Sequence, residues 1–257
     1  MKQVRGYLER KGMLYKTGVE YGDYTINHVQ GCSHGCKYPC YAFLLKKRFG
    51  QIKNYEEWIQ PYLISNTLEL LDKEIPRLKE KIQSVQLCFS TDPFMYEYDE
   101  IKNMSLKVIE KLNKFDIPCS ILTKGVLPVR LAEYSKKNTY GITIVTLDEE
   151  FRKKIEPNAA PIRQRLEALE KLSKKVCKTW VSIEPYPTPN IWEQDLLKIL
   201  NSIQFVDRIV FGRMNYNKEV SSFKDYKDFF NDKAKTVISF CKKHKIDYHI
   251  KDGTLSK

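Results

Sequence analysis

The chain has 257 residues, of which 42% are apolar and 30% are charged, and its formal charge is +12. This composition is typical of one large globular α/β domain. It excludes a chain that spans a membrane as a helix, because no apolar run approaches the required length, and residues 1–7 lack the apolar stretch of a signal peptide. We therefore expect a cytoplasmic protein with reduced thiols and no membrane partner.

The first part of the chain leads into a loop rich in cysteine. Residues 1–23 form a basic leader without a clear hydrophobic period, which we expect to pack on the core. A single core domain at 24–257 begins with a predicted strand over 24–30, and a helix over 42–48 follows the cysteine loop. Between residues 55 and 82, apolar residues recur every three or four positions, which predicts helical structure broken near Pro61 and Pro76.

Beyond residue 82, apolar runs typical of buried strands alternate with amphipathic stretches typical of helices. Strands are predicted at 85–89, 118–123, 141–146, 179–183, 208–211 and, at the end, 247–250. Helices are predicted at 101–115, 127–137, 162–175 and 226–244. Six strand–helix units predict an α/β fold in which a parallel sheet curves into a partial (β/α)6 TIM-like barrel, since a closed barrel would need two more units.

Three of the seven cysteines, Cys32, Cys36 and Cys40, lie within nine residues of one polar loop. Cysteines at this density indicate a metal site, whereas ordinary buried cysteines are scattered in apolar runs, as Cys88, Cys119 and Cys177 are. A structural zinc site is a further alternative, but zinc usually takes four protein ligands, and no second cysteine pair follows. Three thiolates suit an iron–sulfur cluster with one free iron better.

The loop at 31–42, GCSHGCKYPCYA, resembles the cluster loop of the radical SAM enzymes, and more narrowly that of the branch related to spore photoproduct lyase. The usual signature is C-x3-C-x2-C with an aromatic residue before the last cysteine. Here Pro39 lengthens the second gap, and the spacing becomes C-x3-C-x3-C. Proline fixes its own φ and favours an extended Tyr38, so a bulged loop still presents three sulfurs to one cluster; the alternative is a degenerate site. We predict an intact [4Fe–4S] cluster on the three cysteines.

The resemblance implies a second cofactor, S-adenosylmethionine (SAM), bound by polar residues at the carboxyl ends of the strands. Thr91 and Asp92 follow the strand at 85–89, where this family receives the SAM amino group. The other candidates are Tyr38 in the loop and, after later strands, Lys124, Thr143, Glu184 and Asn215.

Each candidate also has a plainer structural interpretation. A polar residue after a strand is often a helix cap or a solvated turn, and Asp148 and Asn158 are predicted to be such caps. Glu156 with Arg163 and Arg165 is predicted to form a structural ion-pair network. His34 is predicted to orient the cysteine loop, without binding the metal.

The implied reaction is reductive cleavage of SAM to a 5′-deoxyadenosyl radical that removes hydrogen from a substrate carbon, with a reductant such as flavodoxin or ferredoxin as the partner. Photoproduct lyases also return a hydrogen atom from a cysteine, and Cys88 is the candidate for this role, with a buried apolar residue as the alternative. The positive charge favours a nucleic acid or nucleotide-derived substrate, and a peptide or small metabolite is the rival. The hypothesis from another class is a non-catalytic protein that binds a metal or a cluster.

Overall fold

The computed structural model describes residues 1–20 and 22–256. Its strands are β1 (Gly6–Leu8), β2 (Leu14–Lys16), β3 (Tyr24–Ile26), β4 (Val29–Gln30), β5 (Tyr62–Ile64), β6 (Val85–Leu87), β7 (Cys119–Thr123), β8 (Thr139–Thr143), β9 (Lys178–Tyr186), β10 (Arg208–Arg213) and β11 (Asp247–Ile250). Its helices are α1 (Tyr41–Arg48), α2 (Tyr55–Trp58), α3 (Thr67–Leu78), α4 (Asp99–Lys114), α5 (Glu149–Ile155), α6 (Ile162–Lys174), α7 (Leu196–Ser202), α8 (Lys218–Ser222) and α9 (Tyr226–His244), with short 3-10 helices at Lys79–Lys81 and Val129–Glu133.

Among the described residues, eight strands form the main sheet in the order β11-β10-β9-β8-β7-β6-β3-β2. All neighbouring pairs from β3 to β11 are parallel, and β2 pairs antiparallel with β3. The sheet stays open, because β2 and β11 are its two edges. Parallel strands place their carboxyl ends together at one edge, which is where α/β proteins bind their ligands. The predicted α/β fold with six parallel strands and a terminal strand is confirmed.

The core lies between this sheet and the helices that connect its strands. On the sheet, Leu87, Ile121 and Val181 are fully buried, and Ile109 on α4 and Leu169 on α6 are buried against them. These helices carry apolar residues at three- and four-residue spacing, so one face of each packs inward. Replacing a buried leucine such as Leu169 by alanine would cost about 2–5 kcal/mol.

The predicted helix at 127–137 is wrong, since only a 3-10 helix forms at Val129–Glu133. Side-chain hydrogen bonds hold the segment in another path. The Tyr140 hydroxyl donates to the Leu131 carbonyl at 2.9 Å, and Asn138 Oδ1 accepts from the backbone N–H of Cys119 at 2.8 Å. These contacts also start β8 at Thr139, two residues before the predicted strand.

The predicted helical stretch at 55–82 contains a strand that its periodicity did not indicate. Helix α2 ends before Pro61, as expected, but β5 follows and pairs with β1 and β4 in a second, smaller sheet. Helix α3 continues through Pro76 for two further residues before it tightens into a 3-10 helix. The leader supplies β1 to the small sheet and β2 to the main sheet; its boundary at residue 23 stays a prediction.

Candidate active site

The cysteine loop joins β4 to α1 and is fixed at both of its sides by backbone contacts. Gly31 has φ +85°, and a Cβ there would lie 2.9 Å from the Trp58 carbonyl oxygen, so the position requires glycine. The same carbonyl accepts the backbone N–H of Cys32 at 2.8 Å. Asn158 Nδ2 donates to the Ser33 carbonyl at 3.0 Å. The prediction that Asn158 caps a helix is therefore wrong, because its side chain is engaged in holding this loop.

The three cysteines line one cavity of about 490 Å³ at the carboxyl ends of the strands. The extra residue Pro39 lines the same cavity, so the longer second gap does not turn Cys40 away from it. The structure brings every other sequence-predicted site residue to the walls of this cavity, namely Tyr38, Cys88, Thr91, Asp92, Lys124, Thr143, Glu184 and Asn215. Thr91 contacts the strand that leads into the loop, since its hydroxyl donates to the carbonyl of Val29 in β4 at 3.3 Å.

The donor set fits an iron–sulfur cluster better than a zinc ion. Within residues 1–20 and 22–256, no three His, Cys, Asp or Glu side chains are placed to surround one metal ion, as zinc requires. A cluster takes each thiolate on a different iron. Beside the cysteines, His34 lines the cavity, and its Nδ1 is buried without a hydrogen-bond partner in the described part of the chain. Buried polar atoms are nearly always paired, so this nitrogen fits a site completed by a cofactor.

At Cys36, burial and the charge of Lys124 shift the pKa of the thiol in opposite directions. Burial raises the pKa of Cys36 to about 11, although the Lys124 ammonium, 3.8 Å from the Cys36 sulfur, opposes this. Burial also raises the pKa of Cys32 well above its usual range. In the metal-free chain Cys32 and Cys36 therefore keep their thiol protons at neutral pH.

Asp92 ties the cysteine loop to the ends of two strands. Its Oδ2 accepts hydrogen bonds from His34 Nε2 at 2.9 Å and the Lys124 backbone N–H at 2.8 Å, and its Oδ1 accepts from the Thr123 hydroxyl at 2.6 Å and the Phe94 backbone N–H at 2.8 Å. Burial raises the pKa of Asp92, but the His34 ring and these hydrogen bonds outweigh it and hold the pKa below its usual value. The carboxylate is thus ionised, and His34 is anchored as the predicted orienting residue would be.

A buried ion triad stands behind the cavity wall. Glu156 Oε1 lies 2.7 Å from the Lys124 ammonium, and Glu156 Oε2 lies 3.0 Å from Arg165 Nη1. The Tyr38 hydroxyl also contacts Lys124, whose ammonium lies 4.7 Å from the centre of the Tyr38 ring. The predicted structural ion pair of Glu156 with Arg165 is confirmed. Arg163 is not part of it, because it is exposed and pairs within its own helix.

The later strands contribute polar groups at their ends. Thr143 is buried at the end of β8, and Glu184 lies within β9, next to a cis peptide bond. A Cβ on Gly212 would lie 2.9 Å from the Glu184 carboxyl carbon, so this glycine leaves room for the carboxylate. Burial raises the pKa of Glu184, and the nearby Lys251 opposes the shift. Asn215 Oδ1 accepts from Arg213 Nε at 2.8 Å. Asn215 lies at the cavity mouth, by which we mean the part of the cavity lined by exposed residues such as Tyr216 and their neighbours.

Sequence reasoning missed the residues that bring the two ends of the chain together at the mouth. Glu20 Oε2 accepts from His249 Nε2 at 2.6 Å and from the Asp252 backbone N–H at 3.2 Å, and Glu20 Oε1 lies 3.1 Å from the Lys251 ammonium. The contacts join a loop after β2 to β11 and the segment that follows it, and so connect the two edges of the open sheet. No local pattern signals a contact between positions 229 residues apart.

Exposed aromatic side chains also lie at the mouth. Tyr41 is 46% exposed and contacts Phe89 edge-on, with 6.1 Å between the ring centres. Tyr216 is 74% exposed, and both tyrosines line the cavity together with the cationic Arg213 and Lys251. A flat apolar ring beside cations is a suitable surface for another planar, anionic molecule.

Comparison with known families shows to which superfamily the chain belongs. The sequence model of the radical SAM superfamily matches residues 26–203, which is more than half of the chain. The chain belongs to the radical SAM superfamily. This radical SAM protein is 28% identical over 228 residues to an uncharacterized protein of Acidianus two-tailed virus, with 82% of this chain and 72% of that protein covered. It is 29% identical over 181 residues to an uncharacterized protein of Methanocaldococcus jannaschii, with 69% and 66% covered.

Solved structures show the same fold. A mutant of spore photoproduct lyase with bound AdoMet and dinucleoside spore photoproduct matches with a TM-score of 0.71 and 14% identity, over 95% of this chain and 80% of that chain. SuiB of Streptococcus suis bound to S-adenosylmethionine matches with a TM-score of 0.57 and 13% identity, over 88% of this chain and 46% of that chain. The predicted partial barrel of the radical SAM type, in the form found in spore photoproduct lyase, is confirmed.

Membership of this superfamily establishes the cofactors and the general activity. Radical SAM proteins use a [4Fe–4S] cluster and SAM, so both predicted cofactors are confirmed, and the chain is an enzyme that needs an electron donor. Which residues bind each cofactor stays a prediction. In the described residues, no helix is both long enough and apolar enough to cross a membrane. The cytoplasmic location stays a prediction.

Proposed function

We propose that this radical SAM enzyme acts on a nucleic acid or a nucleotide-derived substrate and that Cys32, Cys36 and Cys40 hold its cluster. The observation that carries the proposal is that the cysteine loop and the carboxyl ends of the strands open on the same cavity, of about 490 Å³. When bound, the cluster supplies the electron that cleaves SAM to a 5′-deoxyadenosyl radical, which removes hydrogen from a substrate carbon. We propose flavodoxin or ferredoxin as the electron donor.

The cavity walls offer polar groups suited to the separate parts of SAM. We propose that Thr91 and Asp92 receive its amino group, since Asp92 is an ionised carboxylate and attracts an ammonium even with its own hydrogen bonds in place. Lys124 offers a positive charge for the SAM carboxylate. The remaining proposed contacts are Tyr38, Thr143, Glu184 and Asn215, which also line the cavity.

Cys88 determines the proposed type of reaction. Cys88 lines the cavity although it is only 2% exposed. We propose that it gives its hydrogen atom to a substrate carbon radical, so that one S–H bond breaks, one C–H bond forms and a neutral sulfur radical remains. Hydrogen removed at one step is then returned at another, and the substrate has no net oxidation. This pattern favours a lyase-type reaction over an oxidoreductase.

Three observations support a nucleic acid substrate. The exposed rings of Tyr41 and Tyr216 lie at the cavity mouth, where bases can stack on them. Arg213 and Lys251 lie beside them, and the whole chain carries a charge of +12, which attracts phosphates. The fold is that of spore photoproduct lyase, which has been solved with a dinucleoside photoproduct bound.

The cofactor part of the proposal is tested by anaerobic reconstitution with iron and sulfide. The protein should gain the broad visible absorbance of iron–thiolate charge transfer and, with dithionite, release 5′-deoxyadenosine from SAM. Cys40→Ala should lose the cluster, while Cys177→Ala, which changes a cysteine outside the cavity, should keep it. Deletion of Pro39 should be tolerated. Iron retained at wild-type level in Cys40→Ala would show that the ligand is wrongly assigned, and a colourless, zinc-loaded protein that leaves SAM intact would favour the non-catalytic alternative.

The substrate part is tested separately by the yield of 5′-deoxyadenosine. Short single-stranded oligonucleotides should stimulate its formation above the level without substrate, and a peptide mixture at the same concentration should not. Stimulation by peptides alone would support the rival substrate class. Mass spectrometry of the stimulating pool then identifies the altered component.

A further inference from the structure

The segment that contains α1 and α2, residues 41–58, packs against the cysteine loop. Three of its side chains are buried together, and Cys32 and Cys40 contact this group: Ala42, Ile52 and Trp58. The backbone N–H of Cys32 also donates to the Trp58 carbonyl at 2.8 Å. Ala42 and Trp58 line the cavity as well. The inner side of the segment therefore faces two of the proposed cluster ligands.

Aromatic rings continue from this inner side towards the surface. Phe43 packs on Trp58 with 6.3 Å between the ring centres and meets Tyr55 edge-on at 5.8 Å. Phe43 and Tyr55 are half-buried, and neither of them lines the cavity. The Tyr55 hydroxyl donates to the carbonyl of Gly35, next to Cys36, at 2.5 Å. The outer face of the segment is thus connected to the cysteine loop by a short series of contacts that does not pass through the cavity.

This outer face is basic and partly apolar. The Lys37 ammonium lies 4.4 Å from the centre of the Tyr55 ring, and the Lys47 ammonium lies 5.9 Å from that of Phe43. Residues 37–53 include five Lys or Arg and no Asp or Glu, and the two glutamates of α2 leave a charge of +3 over residues 37–58. Leu44 and Phe49 are exposed on the same segment. Cations around exposed apolar groups suit an acidic protein surface.

We infer that this outer face, formed by Lys37, Phe43, Lys47 and Tyr55, docks the electron donor, an acidic carrier protein of the flavodoxin type. The inference rests on the proposed function, which assigns the cluster to the three cysteines. One electron leaves the reduced flavin of the donor, which is thereby oxidised by one electron, and enters the cluster, which is reduced by one. Electron-transfer complexes have small, transient interfaces, so a short segment provides enough surface. The donor approaches from the side, while SAM and the substrate occupy the cavity.

The test uses the cluster-loaded full chain and an acidic flavodoxin as the probe. Calorimetry measures binding of the oxidised flavodoxin, and freeze-quench EPR follows reduction of the cluster by the reduced form. The double variant Lys37→Glu/Lys47→Glu should bind about tenfold more weakly and be reduced more slowly, because attractions become repulsions. Added salt should weaken wild-type binding. Lys37→Arg/Lys47→Arg keeps both charges and should bind like the wild type. Lys242→Glu/Lys243→Glu, which reverses two exposed charges at the end of α9, is the matched control.

Dithionite needs no docking surface, so dithionite should reduce the cluster of the double variant as fast as that of the wild type. Lys47→Glu alone, which lies outside the cysteine loop, should weaken flavodoxin binding about threefold. Unchanged flavodoxin affinity in both variants, or equal weakening in the α9 control, overturns the inference. Weaker binding of a single-stranded oligonucleotide with unchanged flavodoxin affinity would assign the face to nucleic acid. Failure of the wild type to take up a cluster would instead refute the proposed function, whereas flavodoxin binding would still report on the docking face.

Discussion

The ion triad centred on Glu156 gives the most quantitative prediction. Glu156 is fully buried between Lys124 and Arg165, and Glu156→Gln keeps the shape of the side chain while removing its charge. Burial raises the pKa of this carboxyl, but the two cations outweigh it and lower the pKa from 4.5 to about 2. At about 1.4 kcal/mol per pKa unit, the ionised group stabilises the folded state by on the order of 3 kcal/mol. Breaking a buried ion pair typically costs about 3–5 kcal/mol, which agrees.

The sign of the pH dependence follows from the lowered pKa. The stabilisation is complete above the unfolded value of 4.5 and is lost as the pH falls towards 2. We therefore expect urea unfolding of the metal-free chain, followed by circular dichroism, to show a stability loss on the order of 3 kcal/mol for Glu156→Gln at neutral pH and a smaller difference at low pH. Glu167→Gln is the matched control, because Glu167 pairs with Arg163 on the surface and its loss should change little. Equal stability of wild type and Glu156→Gln at neutral pH would refute this account of the triad.

Two further predictions concern the cysteine loop and the mouth. Gly31→Ala places a Cβ 2.9 Å from a carbonyl oxygen at φ +85°, so reconstituted iron measured per chain should fall below half of the wild-type value; Gly50→Ala, also at positive φ but with open space around it, should keep its iron. Tyr216→Ala removes one stacking surface and should weaken single-stranded oligonucleotide binding, measured by fluorescence anisotropy, by about 1–3 kcal/mol. Tyr7→Ala, which removes an exposed tyrosine away from the cavity, is the control, and equal weakening in both variants would argue against stacking at the mouth.

The sequence was most informative where structure depends on local pattern. The runs at 85–89 and 118–123 contain the strands β6 and β7, each of which lies between two parallel neighbours, and strands in that position are mostly apolar. Once the strands are parallel, their carboxyl ends must share an edge, so Thr91, Lys124 and the cysteine loop had to lie close together. The cavity itself was therefore predictable from the order of the elements.

The parts that sequence reasoning missed depend on contacts between distant segments. Strand β5 has three residues and no alternation, and it is a strand because β1 and β4 pair with it. The Tyr140 hydroxyl donates a hydrogen bond to the Leu131 carbonyl, and this bond stabilises a non-helical conformation of residues 127–137. It joins a residue in β8 to one that precedes the strand. The buried side chains of His28 and Ser105 form a hydrogen bond between residues 77 positions apart. None of these long-range contacts produces a periodic pattern in the local sequence.

The wide spacing of the cavity residues has a consequence for how the holoenzyme is made. The cysteine loop is complete at Cys40, whereas Asp252 at the mouth follows about 210 residues later. At about 5–20 residues per second, the ribosome adds that stretch in roughly 10–40 s. During this interval the thiols emerge without the walls that will surround them, so we expect iron and sulfide to enter only after the last cavity residues have been added, and a polypeptide arrested before β10 to retain none.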